Sequence, residues 1–186
     1  TGGTLSPANE TDAYQFTVQA GERFYFDVQS SSESNYWRLL DPYGRSVFGP
    51  SQMRYYGYYD VDVLALAYSG AYTLLLEGRV SASGTASYGF NVQKVTDDTA
   101  GLILNTRVDG AIDHVGQRDI YSFTLAEASR VYFDSLTTTN LYWSLTGPRG
   151  TLVSSRYFTS SDSYEGTSIL DLVPGNYTLT VDGYMD

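Results

Sequence analysis

Residues 54–59 read Arg54-Tyr55-Tyr56-Gly57-Tyr58-Tyr59. Side chains of an extended strand alternate between its two faces, so tyrosines this close together cannot all enter one core. An exposed tyrosine offers a flat apolar ring and a hydroxyl, which suits a sugar ring or a protein partner. The later half of the chain has an aromatic stretch at the matching place, Arg156-Tyr157-Phe158 followed by Tyr164. Arg54, Tyr55, Tyr56, Tyr58, Tyr59 and Tyr157 are therefore the expected ligand contacts. The competing reading packs these rings on a sheet face or at a domain junction.

The acids form the second set. Asp12, Asp119, Asp27 and Asp134 recur at matching positions, and Asp60-x-Asp62 and Asp97-Asp98 add shorter clusters. A calcium site needs six to eight closely spaced oxygens. No Asp-x-Asp-x-Asp-Gly loop occurs, and lone acids at strand ends more often accept local backbone hydrogen bonds. Calcium thus enters only as a ligand that stiffens the chain in one reading, and no cofactor is required. His114 is the single histidine and no cysteine is present. A Ser-His-Asp arrangement would have to use His114 beside Asp113, yet no Gly-x-Ser-x-Gly elbow exists. A zinc site lacks ligands. Acids repeated at fixed spacing argue for a scaffold role rather than one glycosidase pair. The expectation is a chain that is not an enzyme.

Charge narrows the partners. The 186 residues carry a formal net charge of -10 with only 11 Lys and Arg. That balance disfavours nucleic acid, which is held by cations on phosphates, and anionic lipid. No apolar run approaches the roughly 20 residues of a membrane-spanning helix. The chain opens Thr-Gly-Gly-Thr without the features of a signal peptide.

What positions these residues is a repeat. Asp12-Ala13-Tyr14-Gln15-Phe16 returns as Asp119-Ile120-Tyr121-Ser122-Phe123, and Phe24-Tyr25-Phe26-Asp27 as Val131-Tyr132-Phe133-Asp134, each pair of positions 107 apart. Trp37-Arg38-Leu39 then pairs with Trp143-Ser144-Leu145. Asp41-Pro42-Tyr43-Gly44 pairs with Gly147-Pro148-Arg149-Gly150, and Gly70-Ala71-Tyr72-Thr73-Leu74 with Gly175-Asn176-Tyr177-Thr178-Leu179. Within each copy large apolar residues alternate with polar ones, as in half-buried strands. Tyr14, Phe16 and Val18 share one face; Phe24, Phe26 and Val28, then Tyr72, Leu74 and Leu76, then Tyr88, Phe90 and Val92 repeat the pattern. Gly and Pro punctuate the intervals, and no 3.6-residue stripe appears.

The fold expected is all-β: two tandem antiparallel β-sandwiches, at 1–96 and 101–186, joined by a polar linker over 96–101. Leu102–Val108 reads as a strand leading into the second copy. The second copy stops before any equivalent of Tyr88-Gly89-Phe90-Asn91-Val92, as in a piece cut from a longer array, which leaves either an open sheet edge there or one covered by neighbouring loops or a partner chain.

The ordered set Gly-x-Leu, Asp-x-Tyr-x-Phe, Tyr-Phe-Asp, Trp-x-Leu, Pro-x-Gly and Gly-x-Tyr-Thr-Leu, present twice and spanning nearly all the chain, resembles the bacterial pre-peptidase C-terminal domain family. The resemblance implies a jelly-roll-like sandwich without catalytic activity, found in secreted peptidases and large surface proteins. It implies an extracellular or bacterial cell-surface location, and partners among extracellular polysaccharides, proteins or other domains of the same polypeptide. The function expected is adhesion or substrate targeting; the alternative is a structural spacer, calcium-stiffened in one version.

Overall fold

The computed structural model describes residues 1–32, 35–53, 60–160 and 169–183. The chain divides into two compact units, Thr1–Val95 and Thr96–Asp186.

In the first unit the alternating segments become β1 (Gly2–Leu5), β2 (Thr11–Val18), β3 (Arg23–Ser31), β4 (Tyr36–Leu40), β5 (Ser46–Gln52), β6 (Val61–Ala65), β7 (Gly70–Glu77) and β8 (Ala86–Val95). They form two four-stranded sheets, β1-β8-β3-β6 and β2-β7-β4-β5, and all pairings are antiparallel. That strand order is a jelly roll, with successive strands passing between two facing sheets. The period-two pattern explains the core. Phe26, Trp37, Leu39, Leu74 and Leu76 point inward from both sheets and are fully buried. Phe26 meets Trp37 edge-on at 6.4 Å and Phe48 at 5.1 Å. With no cysteine in the chain, these rings do the holding that disulfides do in many small secreted domains.

The second unit contains β9 (Asp98–Gly101), β10 (Arg118–Leu125), β11 (Ser129–Tyr132), β12 (Leu141–Gly147), β13 (Gly150–Tyr157), a single 3-10 turn (Phe158–Ser160), β14 (Ile169–Leu172) and β15 (Gly175–Gly183). The sheet β13-β12-β15-β10 repeats β5-β4-β7-β2 strand for strand, and β9 is added outside β10. The facing layer consists of β11 and β14, the counterparts of β3 and β6. Phe133, just past β11, stacks on Trp143 at 4.1 Å and 10°.

Turn chemistry is shared as well. Gly70 and Gly175 both adopt positive φ (140° and 143°), and a Cβ on either would strike a proline ring, Pro42 in one unit and Pro148 in the other. Glycine is required there for both backbone and space.

Three expectations need correction. The segment expected as a polar linker contains strand β9. Its Asp98, Thr99, Ala100 and Gly101 lie opposite Asp119, Ile120, Tyr121 and Ser122 in parallel register, so the second sandwich is not wholly antiparallel. Leu102–Val108 is not a strand; residues 102–117, all described, contain none. The chain leaves the sheet after the Leu102 N–H donates to the Ser122 carbonyl at 2.7 Å, and Asn105 turns through a left-handed φ of 59°.

Candidate functional site

The tyrosine-rich segment Arg54, Tyr55, Tyr56, Tyr58 and Tyr59 lies outside the described residues, as does Tyr164. Tyr157 is described. It ends the outer strand β13, half-buried, with its ring edge-on to Tyr142 at 4.5 Å. That contact joins Cα partners across β12 and β13, so Tyr157 stands beside another ring of its own sheet.

Asp12 and Asp119, which match across the repeat, both have protein partners. Asp12 accepts a hydrogen bond from the Tyr88 hydroxyl, and the Tyr14 and Tyr88 hydroxyls bond to each other at 2.6 Å. Burial pushes the Tyr88 phenol up, with Asp12 and Tyr14 adding to the shift, so Tyr88 stays a neutral donor. At the matching place Asp119 is buried and accepts from Gln117 Nε2 at 3.2 Å and from the Tyr121 hydroxyl at 3.3 Å. Gly3 and Gly110 let the chain pass against these clusters; a Cβ on Gly3 would collide with the Tyr88 hydroxyl, and one on Gly110 with Asp119 and Tyr121. Asp60 accepts from the Tyr25 hydroxyl at 2.5 Å and from the Val28 N–H at 2.8 Å. Its charge reinforces burial in raising Asp27 above the usual carboxylate range. Asp62 accepts from Val63 N–H, and Asp97 forms an ion pair with Arg118 at 2.5 Å. Asp134 is exposed. Among the described residues no group of three or more His, Asp or Glu converges as metal ligands.

His114 Nε2 accepts from the Thr96 N–H at 3.2 Å, and its repeat counterpart is Pro7, 107 positions earlier. The two loops share a backbone design. Glu10 N–H donates to Pro7 C=O and Gln117 N–H to His114 C=O. Ser6 N–H donates to Glu10 Oε1, and Asp113 N–H to Gln117 Oε1.

The concavity that the strand pattern did not announce is a groove of about 510 Å³ along β2 in the first unit. Its floor is Tyr14, Phe16, Phe24, Phe90 and Leu74, and its rim includes Gln15, Gln19, Glu22 and Lys94. Tyr14 meets Phe90 edge-on at 5.1 Å, and Phe16 lies 5.3 Å from Phe24. The Glu22–Lys94 ion pair at 2.5 Å closes one end of the rim; Lys94 and the Gln19 N–H hold Glu22 below the usual range. Strand β2 is the outermost of its sheet among the described residues. Aromatic rings and a polar rim together can receive a ligand with both apolar and hydrogen-bonding faces. Sequence reading assigned Tyr14, Phe16, Phe24 and Phe90 to the core; Phe24 and Phe90 are buried in it and Tyr14 and Phe16 pack partly buried against it, and the alternation alone gives no sign of the groove beside them.

The chain matches no protein-family model and no curated protein. Among solved structures it is similar to PliG of Salmonella Typhimurium, a periplasmic inhibitor of g-type lysozyme. The match is 14% identical with a TM-score of 0.32, over 50% of this chain and 88% of that one. No helix of the described residues is long and apolar enough to cross a membrane.

Proposed function

We propose that this chain is a non-catalytic binding module of an exported protein, acting at the cell surface or outside the cell, and that the β2 groove is its principal contact surface. The observation that carries the reading is the groove itself, with aromatic rings on its floor and hydrogen-bonding groups on its rim, the composition of sites that hold a polymer or protein ligand. A surplus of acids and the resemblance of the repeat to pre-peptidase C-terminal domains support the location. The matching acids Asp12 and Asp119 accept hydrogen bonds from neighbouring side chains, which supports a scaffold over a reaction centre.

The test is titration of the protein with oligosaccharides and with extended peptides, followed by NMR shifts. A ligand that moves the ring resonances of Phe16, Phe24 and Phe90, and binds more weakly to Gln15→Ala with Lys94→Ala, is the expected result. Ligands that bind elsewhere, or the absence of any ligand at millimolar concentration, would favour the spacer reading.

A further inference from the structure

Two turns of the first unit hold a pair of tyrosine rings in solvent. Tyr43 lies between β4 and β5 and is 66% exposed; Tyr68 lies between β6 and β7 and is 40% exposed. The rings meet at right angles, with centroids 5.2 Å apart. Arg45 places its guanidinium over the Tyr43 ring at 5.3 Å and forms no ion pair among the described residues. Single exposed apolar residues are ordinary on a protein surface. Two touching rings beside an unpaired cation are a patch.

The backbone under the patch is braced. Asp41 is buried, and its Oδ1 accepts from the Tyr43 and Arg45 N–H groups at 2.9 Å each. The Gly44 N–H donates to the Asp41 carbonyl, and the Asp41 N–H to the Arg45 carbonyl. The Tyr68 N–H donates to the hydroxyl of buried Tyr72 at 3.1 Å. Both rings therefore stand on fixed main chain, so docking a ligand costs little backbone ordering.

The repeat shows that the fold does not require the pair. In the second unit the same two turns meet, with Pro148 packed on Gly175 as Pro42 is on Gly70. The Tyr177 hydroxyl, counterpart of that of Tyr72, donates to the Val173 carbonyl at 2.7 Å. Yet Arg149 stands for Tyr43, Thr151 for Arg45, Val173 for Tyr68 and Gly147 for the bracing Asp41. Rings, cation and brace occur together in one copy alone, on a scaffold that both copies share.

We infer that Tyr43, Tyr68 and Arg45 form a binding site for an acidic oligosaccharide. A sugar ring lies on the exposed tyrosine surface, and a carboxylate of that sugar or of its neighbour pairs with Arg45. The C–H face and hydroxyls of a sugar complement an aromatic face and a phenol, and a guanidinium binds a carboxylate through two parallel hydrogen bonds. A peptide fits less well. Extended peptides are held by main-chain hydrogen bonds or in grooves, and the N–H groups of Tyr43, Gly44, Arg45 and Tyr68 are already bonded within the protein. Rings at 90° also leave no parallel-walled slot between them. Charges farther than about 8 Å are largely screened at physiological salt, so the guanidinium over Tyr43 outweighs the chain's net charge of -10. The site shares no residue with the β2 groove and stands or falls apart from it.

The experiment titrates the whole 186-residue chain with an oligogalacturonate, with its carboxyl-reduced neutral form, and with a polyglutamate of equal charge. Salt is physiological, divalent cations are absent, and the tyrosine ring resonances are followed by NMR. The expected result is saturable shifts at Tyr43 and Tyr68 with the oligogalacturonate. Binding should weaken about tenfold or more for the reduced sugar and for Arg45→Gln, the scale of a charge-assisted hydrogen-bond pair, and by a similar factor for Tyr43→Ala. The reduced sugar alters the ligand alone, so misfolding of a variant cannot mimic its effect. Equal affinity for the reduced sugar, equal binding of polyglutamate, or no binding at millimolar oligogalacturonate overturns the proposal. Shifts at Phe16, Phe24 and Phe90 with the two tyrosines unmoved would put the sugar in the groove and overturn it too. So would Tyr43 and Tyr68 signals that, in the free chain, are already shielded from a dissolved paramagnetic probe.

Discussion

The first unit completes the sheet containing β3 by adding β8 and β1, and leaves β2 without an outer neighbour among the described residues; the second unit does the reverse. There β10 is covered by β9, while β11 has β14 as its sheet neighbour among the described residues. The shared elements are nearly superposable in register: Phe16 lies opposite Tyr72 as Phe123 lies opposite Tyr177, and Leu39 opposite Leu74 as Leu145 opposite Leu179. The correspondence teaches that the repeated sequence determines the inner strands and their register.

The comparison breaks most severely if the units do not fold on their own cores. Trp37→Ala should destabilise the first unit by about 3–5 kcal/mol, the usual cost of emptying a buried aromatic site. It should leave the second unit's transition in place, and Trp143→Ala should do the converse. Two calorimetric transitions, each moved by one variant only, are the expected pattern. A single transition moved by both would mean one cooperative core.

A smaller effect tests whether β9 belongs structurally to the second unit. Leu102→Asp places a charge where the leucine packs against Trp143's cluster. It should cost the second unit about 1–3 kcal/mol, seen in chemical denaturation, with the first unit unchanged. An unaltered second unit would return residues 98–102 to the status of a linker.

The smallest effect concerns pH. Asp182 is held above the usual carboxylate range by burial, with Arg118 opposing the shift, and its buried Oδ1 has no hydrogen-bond partner among the described residues. A raised folded-state value means the ionised form is the less favoured one in the fold. The penalty is absent below the unfolded value, near 3.9, and fully present once pH exceeds the folded value. Asp182→Asn should therefore raise the second unit's melting temperature at pH 7 by roughly 1–4 °C and change it little at pH 3. A fall at pH 7 would show that Arg118 outweighs burial.

Much of this architecture was legible because it is written in local alternation. Tyr72, Leu74 and Leu76, and Tyr88 and Phe90, are buried on the faces their spacing indicates, and Gly70 and Gly175 mark turns that only glycine satisfies. β9 was not legible. Asp98-Thr99-Ala100-Gly101 has no apolar alternation and no β-branched run; it is extended because β10, later in the chain, offers backbone groups to pair with, and such a pairing cannot be read from neighbours in sequence. Leu102 likewise looks like the start of a strand until its single hydrogen bond to Ser122 shows it to be the end of one. The groove was hidden for a related reason. Phe16 and Phe24 carry the pattern of core residues, and whether facing sheets close or part over them depends on pairings distant in the chain. The expected contacts Arg54 to Tyr59 lie outside the described residues, and the groove along β2 became the candidate in their place.

Amide hydrogen exchange on the free protein addresses the edge contrast most directly, because Ala13 and Gln15 are matched by Ile120 and Ser122 at the same repeat positions. Open edges exchange through local fluctuations and covered ones through larger openings. The Ala13 and Gln15 amides should exchange about tenfold or more faster than those of Ile120 and Ser122, after correction for intrinsic rates. Equal protection at all four sites would contradict the difference between the two edges.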